Sequence, residues 1–142
     1  MEDNIALLNQ LYKNVKMGEE TISALIPSAQ SEAMRGALEK QRSGYSKFCQ
    51  KLRQELQNHQ AEPKKFNAMT KMSAEIGIKM NTMIDKTDSH VADMMVQGST
   101  MGITEATKGL HNHKNACQPA RQLAKEIVAF EQQNIEAMKH FL

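Results

Sequence analysis

Tryptophan is absent from this 142-residue chain, and aromatic residues make up only 4% of it. The apolar interior must therefore come from Leu, Ile, Ala and Met, and 11 residues are methionines. Three prolines and seven glycines are too few for the many turns of an all-β fold. These scarcities favour an all-α protein, and the length suits a single domain spanning residues 1–142.

Long apolar runs and charge of one sign are also missing. No stretch approaches the roughly 18 apolar residues that cross a bilayer, so we predict no membrane association. The net charge is +2 with both signs interspersed, which does not indicate a nucleic-acid surface. The acidic segment at residues 2–3 is not followed by the pattern of a secretory signal. Cys49 and Cys117 are too few for a disulfide framework, so we expect free thiols and a cytoplasmic protein.

Apolar residues recur at steps of three and four through five segments, which is the spacing of one face of a helix. The predicted helices cover about 3–26, 28–59, 63–86, 90–110 and 119–142. Pro27 ends the first helix, because the residue before a proline is pushed out of the α region. Short loops make sequential helices antiparallel. The sequence therefore predicts an up-and-down bundle of about five helical segments.

The fourth predicted helix carries three small residues, Gly98, Gly102 and Ala106, at intervals of four. On a helix they form one line along which a neighbouring backbone can approach closely. Counting back from the loop near Lys114 places Ile127 of the fifth helix beside Gly102. We interpret the line as a close helix contact wrapped by neighbouring residues such as Met101; the alternative is that the glycines let a ligand approach the backbone.

Four polar residues interrupt the apolar stripes: Glu19, Gln41, Glu131 and Asn134. A buried carboxylate is costly unless it has a cation, a hydrogen-bond partner or a metal ion. At these positions the chain resembles the ferritin-like superfamily, whose four-helix bundles hold two iron or manganese ions through glutamates and Glu-x-x-His motifs. The resemblance implies a ferritin-like bundle in which the segment 63–86 is the crossover.

The metal motifs of that superfamily are only partly present. Glu131 to Asn134 keeps the Glu but has Asn in place of His, and Gln41 to Gly44 has neither ligand. His90 and Asp93 lie one turn apart in the reverse order. The candidate metal ligands implied by the resemblance are Glu19, Glu131, Asp93 and His90. For Glu19 we adopt a structural ion pair or a rim position over a metal ligand, because the turn at Pro27 places it near the level of Arg35.

Two further groups of residues have metal-binding chemistry. His111, His113 and Cys117 supply ligand types for zinc or copper, but they lie in a predicted loop, and a solvated loop is the interpretation we adopt. The methionines at 69, 72, 80, 83, 94, 95 and 101 could bind copper(I), line a groove for a partner helix, or fill the core. Core filling is the interpretation we adopt.

Nucleophile and phosphate-loop motifs are absent from the sequence. We therefore expect a non-enzymatic interaction or structural protein without a cofactor, which forms a homodimer or binds another helical protein. The alternative is a ferritin-like metalloprotein whose carboxylate site, for iron or manganese, has degenerated or been rebuilt.

Overall fold

The computed structural model describes residues 2–64 and 87–142, and it confirms an all-α bundle. The α-helices are α1 (Glu2–Leu25), α2 (Glu32–Asn58), α3 (Asp88–Asn112) and α4 (Gln118–Lys139). Helices α3 and α4 correspond to the fourth and fifth predicted helices. The predicted helix over 63–86, with the methionines at 69, 72, 80 and 83, lies outside the described residues apart from its first two positions.

Contacts between side chains define how the four helices are arranged. Each of the pairs α1–α2, α1–α3, α2–α4 and α3–α4 is in contact, so the helices form a closed ring. Within each pair the helices run antiparallel; Tyr12 meets Arg53 and Glu19 meets Ser46, for example, between α1 and α2. Apolar side chains from all four helices, including Leu11, Leu52, Val91 and Ile127, form the core.

The reversal between α1 and α2 is longer than the sequence predicts. Residues Ile26–Ser28 form a 3₁₀ turn after α1, and Ser31 caps α2 by accepting a hydrogen bond from the Met34 amide at 3.0 Å. Because the centre of the reversal moves from Pro27 towards residue 32, Glu19 lies level with Ser46. The predicted level of Glu19 with Arg35 is therefore wrong, although Glu19 does form an ion pair, with Lys16 at 2.7 Å.

Asp88 joins the starts of α2 and α3. Its carboxylate accepts hydrogen bonds from the Gln30 amide at 2.8 Å and from the Ser31 amide and hydroxyl at 3.1 and 2.5 Å. The first turns of these two helices therefore lie at the same end of the bundle. His59 and Cys117 come together at the other end, where α2 finishes and α4 begins.

The small-residue line of α3 packs differently from the prediction. The three atoms nearest to a Cβ on Gly102 all belong to Glu131, so this glycine does face α4. The contact is with Glu131 and not with Ile127, although the hydrogen bond between Ser99 and Glu131 places the two helices within one residue of the predicted register. Gly98 is exposed, with no atom within 4 Å of the point that a Cβ would occupy, and the side chain of Met101 is 59% exposed. The prediction of a continuous close contact wrapped by Met101 is thus wrong, because the inward face of α3 is centred on Val91, Met95, Ser99 and Ala106.

Candidate functional site

The interior of the bundle contains a carboxyl group, that of Glu131 on α4, whose residue is only 4% exposed. One oxygen, Oε1, accepts hydrogen bonds from three side chains: the Tyr45 hydroxyl on α2, the Ser99 hydroxyl on α3 at 3.2 Å, and the Asn134 amide at 3.2 Å. The donors come from three helices, so the carboxyl group links them. We call these four residues the Glu131 network.

Glycines make room for the large side chains around this network. A Cβ atom on Gly18 of α1 would lie 2.6 Å from the Tyr45 ring. One on Gly102 would come closer still to Glu131 Oε2, and so would one on Gly44 of α2 to the ring of Phe130. Since real Cβ contacts are never this short, each glycine is needed to admit a neighbour's side chain.

The rings of Tyr45 and Phe130 pack edge to face beside the carboxyl group. Their centroids are 4.9 Å apart and their planes meet at 86°, a favourable arrangement for two aromatic rings. The packing fixes the direction of the Tyr45 hydroxyl. Because Glu131 is only 4% exposed, water has little access to its charged form.

Burial determines how these groups ionise. It raises the pKa of Glu131 to about 7, although the hydrogen bonds from Tyr45, Asn134 and Ser99 act in the opposite direction. Burial and the neighbouring Glu131 carboxylate raise the pKa of Tyr45 well above its ordinary value. Glu131 therefore changes its charge near neutral pH while Tyr45 remains a hydrogen-bond donor.

Gln41 on α2 is 4% exposed, and within residues 2–64 and 87–142 neither its Oε1 nor its Nε2 has a hydrogen-bond partner. The register that brings Tyr45 to Glu131 and His59 to Cys117 places Gln41 level with residue 135, next to Asn134. An unsatisfied buried amide costs about 1–3 kcal/mol, so a small polar ligand beside Gln41 would be stabilising.

The other candidate metal ligands from the sequence lie apart from the network. Glu19 accepts hydrogen bonds from Lys16 and Ser46, both at 2.7 Å; burial works against its charge, but these bonds prevail and lower its pKa. Asp93 is exposed and accepts a hydrogen bond from Gln97 at 3.3 Å, while His90 is half-buried in the first turn of α3. The two parts of the chain that the structure describes contain no cluster of three or more His, Cys, Asp and Glu side chains suited to a metal ion.

The residues proposed for zinc or copper have separate partners. His113 Nδ1 lies 3.6 Å from the Asp3 carboxylate, whereas Cys117 Sγ lies 3.6 Å from Nε2 of His59. His111 is exposed near the end of α3. Sequence reasoning missed His59, because it lies 58 positions from Cys117 and only the antiparallel packing of α2 and α4 brings the two together.

Sequence reasoning also misses the roles of Tyr45 and Ser99. Periodicity alone assigns Tyr45 to an apolar stripe, yet a buried tyrosine hydroxyl generally requires a partner, and that signal points to the carboxyl group in the facing stripe. Ser99 lies between Gly98 and Gly102 and has no distinguishing pattern of its own. Gln41, Glu131 and Asn134 are buried as their positions in the stripes indicate.

Together these features define an all-α bundle whose interior is organised around one buried carboxyl group. The chain belongs to a family described as a domain of unknown function (DUF2383), whose model matches residues 3–112. The match covers α1, α2 and α3 but ends before α4, so Glu131 and Cys117 lie outside it. Comparison with curated proteins and with solved structures gave no match. Within residues 2–64 and 87–142, no helix is long and apolar enough to cross a membrane.

The two glycines of α3 provide a matched test of this packing. Gly102→Ala should lower the melting temperature, because the new methyl group displaces a carboxyl group held by three donors at a cost of about 1–3 kcal/mol. Gly98→Ala should raise it, because an exposed mid-helix alanine gains about 1 kcal/mol over glycine. Thermal unfolding followed by circular dichroism compares the two variants. Equal melting temperatures would contradict the contact between Gly102 and Glu131.

The raised pKa of Glu131 predicts how stability depends on pH. The folded state binds this proton more tightly than the unfolded chain does, so the stabilisation is complete below pH 4.5 and is lost as the pH rises through about 7. The shift corresponds to about 3 kcal/mol. The difference in unfolding free energy between the parent and Glu131→Gln, measured by urea denaturation from pH 4.5 to 8, should change by roughly this amount.

Glu136→Gln is the control for that series. Glu136 lies on the same helix with a side chain that is 70% exposed, where it pairs with Lys139. Its substitution should leave the pH dependence close to that of the parent. A Glu131→Gln protein whose stability follows the parent curve at every pH would show that Glu131 is not the group responsible.

Proposed function

We propose that this protein is a non-enzymatic, cytoplasmic interaction protein whose bundle pairs with a second copy of itself through the outer face of α3. The hydrogen bonds of the Glu131 network join helices of the same chain, which supports a structural role for this network. The free thiols Cys49 and Cys117 support a reducing compartment. The observation that carries the proposal is the symmetry of the α3 surface.

The outer face of α3 is weakly polar in its middle. The hydroxyl groups of the exposed Thr100 and Thr104 donate to the carbonyls of Val96 and Thr100, at 2.8 and 3.0 Å, within α3 itself. Met101 exposes 59% of its surface between them, and Gly98 is open. A neighbouring helix could therefore pack on this face without breaking hydrogen bonds to these hydroxyl groups.

Charged residues of opposite sign mark the two ends of this face. Asp93 is exposed near the start of α3 and Lys108 near its end, where Lys108 lies 3.9 Å from Glu105. If two copies of α3 pair antiparallel about a twofold axis between Thr100 and Met101, each Asp93 meets Lys108 of the other copy. The same axis pairs Gln97 with Thr104, so the surface is complementary to itself.

Charge reversal tests this arrangement directly. Asp93→Lys and Lys108→Asp should each weaken the dimer about tenfold, because each creates two like-charge contacts about the axis. The double variant restores opposite charges and should recover most of the affinity. Sedimentation equilibrium over a range of protein concentrations measures the dissociation constants.

Lys40→Glu serves as the charge-matched control, since Lys40 is exposed on α2 away from this face. It should leave the dimer unchanged. A parent protein that stays monomeric at high concentration would overturn self-pairing. A double variant as weak as either single variant would overturn the Asp93–Lys108 pairing.

A second candidate function is that of a ferritin-like metalloprotein with a rebuilt site. It is favoured by the buried amide of Gln41, which has no hydrogen-bond partner in the described part of the chain and lies close to the level of Asn134. The residues here offer one carboxylate together with amide and hydroxyl oxygens, which does not fit the several carboxylates and histidines of a two-metal centre. They fit at most one hard cation beside Glu131.

Elemental analysis of protein purified without added metal separates the two candidates. The interaction proposal predicts no stoichiometric iron or manganese. The metalloprotein candidate predicts about one ion per chain, reduced in Glu131→Gln and Gln41→Leu. Stoichiometric metal that both substitutions remove would establish the second candidate at the expense of a purely structural Glu131 network.

A further inference from the structure

A thiol and an imidazole meet where α2 ends and α4 begins. Sγ of Cys117 lies 3.6 Å from Nε2 of His59, and both residues are half-buried, so the pair is reachable from solvent. The same His59 nitrogen lies 3.9 Å from the Glu55 carboxylate. Nothing in the proposed self-pairing uses these residues, and the family match ends before Cys117.

The local backbone holds both members of the pair. Helix α2 ends at Asn58, and Gln60 follows in the left-handed region, at φ 58°. The Ala61 amide donates to the Leu56 carbonyl at 2.8 Å. This hydrogen bond closes the last turn of the helix and sets the position of His59. Cys117 is the residue immediately before α4. Its amide donates to Asn4 Oδ1 at 2.5 Å, which ties the start of α4 to α1.

Two features of this position favour reaction at the sulfur. The imidazole of His59 can accept the thiol proton, and the nearby Glu55 carboxylate stabilises the resulting imidazolium. Half-burial leaves the sulfur accessible to a small reagent.

Cys49 provides a contrast within the same chain. It is 2% exposed, and burial raises the pKa of its thiol to about 11. A buried thiol that remains protonated reacts slowly with disulfides, because the thiolate is the nucleophile. The two cysteines therefore differ in both access and activation.

We propose that Cys117 is a site of reversible modification by low-molecular-weight disulfides, with His59 as the residue that accepts its proton. The Cys117 sulfur attacks one sulfur of the disulfide, so a new S–S bond forms as the original S–S bond breaks. The thiol proton passes to His59 and then to the departing thiolate. The products are a mixed disulfide on Cys117 and one free small thiol, and a second small thiol reverses the reaction.

The experiment uses the full chain and two probes, an aromatic disulfide that releases a coloured thiolate and glutathione disulfide. With the aromatic probe, Cys117 should react at least about tenfold faster than Cys49. Cys117→Ser should remove the fast phase, whereas Cys49→Ser should leave it unchanged. With glutathione disulfide, mass spectrometry of peptides should find the adduct on Cys117, and added reduced glutathione should remove it.

His59→Asn tests the role of the imidazole. The fast phase should slow by at least about tenfold, and its rate–pH profile should lose the component that belongs to a histidine. Circular dichroism checks that the variant is folded. Glu55→Gln is a second variant, in which the fast phase should slow by less than in His59→Asn while the glutathione adduct still forms on Cys117. Because a purely structural His59 would leave the shape of the pH profile unchanged, the profile distinguishes the two roles.

Three outcomes overturn the proposal. The first is that Cys49 and Cys117 react at equal rates in the folded protein. The second is that the glutathione adduct forms preferentially on Cys49. The third is that His59→Asn reacts as fast as the parent, with the same pH profile.

Discussion

The hydrogen bond between Tyr45 and Glu131 is the interaction on which the rest of the structure depends, because it joins α2 to α4 in the interior of the bundle. Burying a carboxyl group is unfavourable, and three donors from three helices reduce that cost. The Tyr45 ring in turn packs against Gly18 of α1, so every described helix contributes to the arrangement. A network of this kind fixes the register of α2 and α3 against α4, since sliding either by a turn would remove a donor from the carboxyl group.

The functional proposals follow from the difference between this interior and the two regions outside it. The polar groups of the Glu131 network are hydrogen-bonded to one another inside the chain. On the outer face of α3, by contrast, Met101 is exposed, and so are the charged residues at its two ends, Asp93 and Lys108. At the end of the bundle, the half-buried Cys117 and His59 are close enough to exchange a proton. The Glu131 network, the proposed pairing surface and the proposed thiol site thus lie in separate parts of the fold.

The sequence is sufficient to predict the all-α bundle and the burial of Gln41, Glu131 and Asn134, because helical periodicity identifies the inward face of each helix. It does not predict which residues meet across helices. The reversal near Pro27 contains a 3₁₀ turn, and that local difference moves Glu19 from Arg35 to Ser46. At Gly102 the register of α3 and α4 is close to the predicted one, yet the long side chain of Glu131, and not Ile127, contacts the glycine. Pairs such as Cys117 and His59 depend on these registers, so periodicity alone does not reveal them.

The most direct test of this account is the ionisation of Glu131 itself. With ¹³C-labelled glutamate and Glu131→Gln to assign the signal, NMR can follow the side-chain carboxyl carbon as a function of pH. The account predicts a midpoint at about 7 for this one residue, because the carboxyl group is buried in the folded bundle. A midpoint near 4.5, the ordinary value for glutamate, would show that the group is solvated and would contradict a bundle built around it.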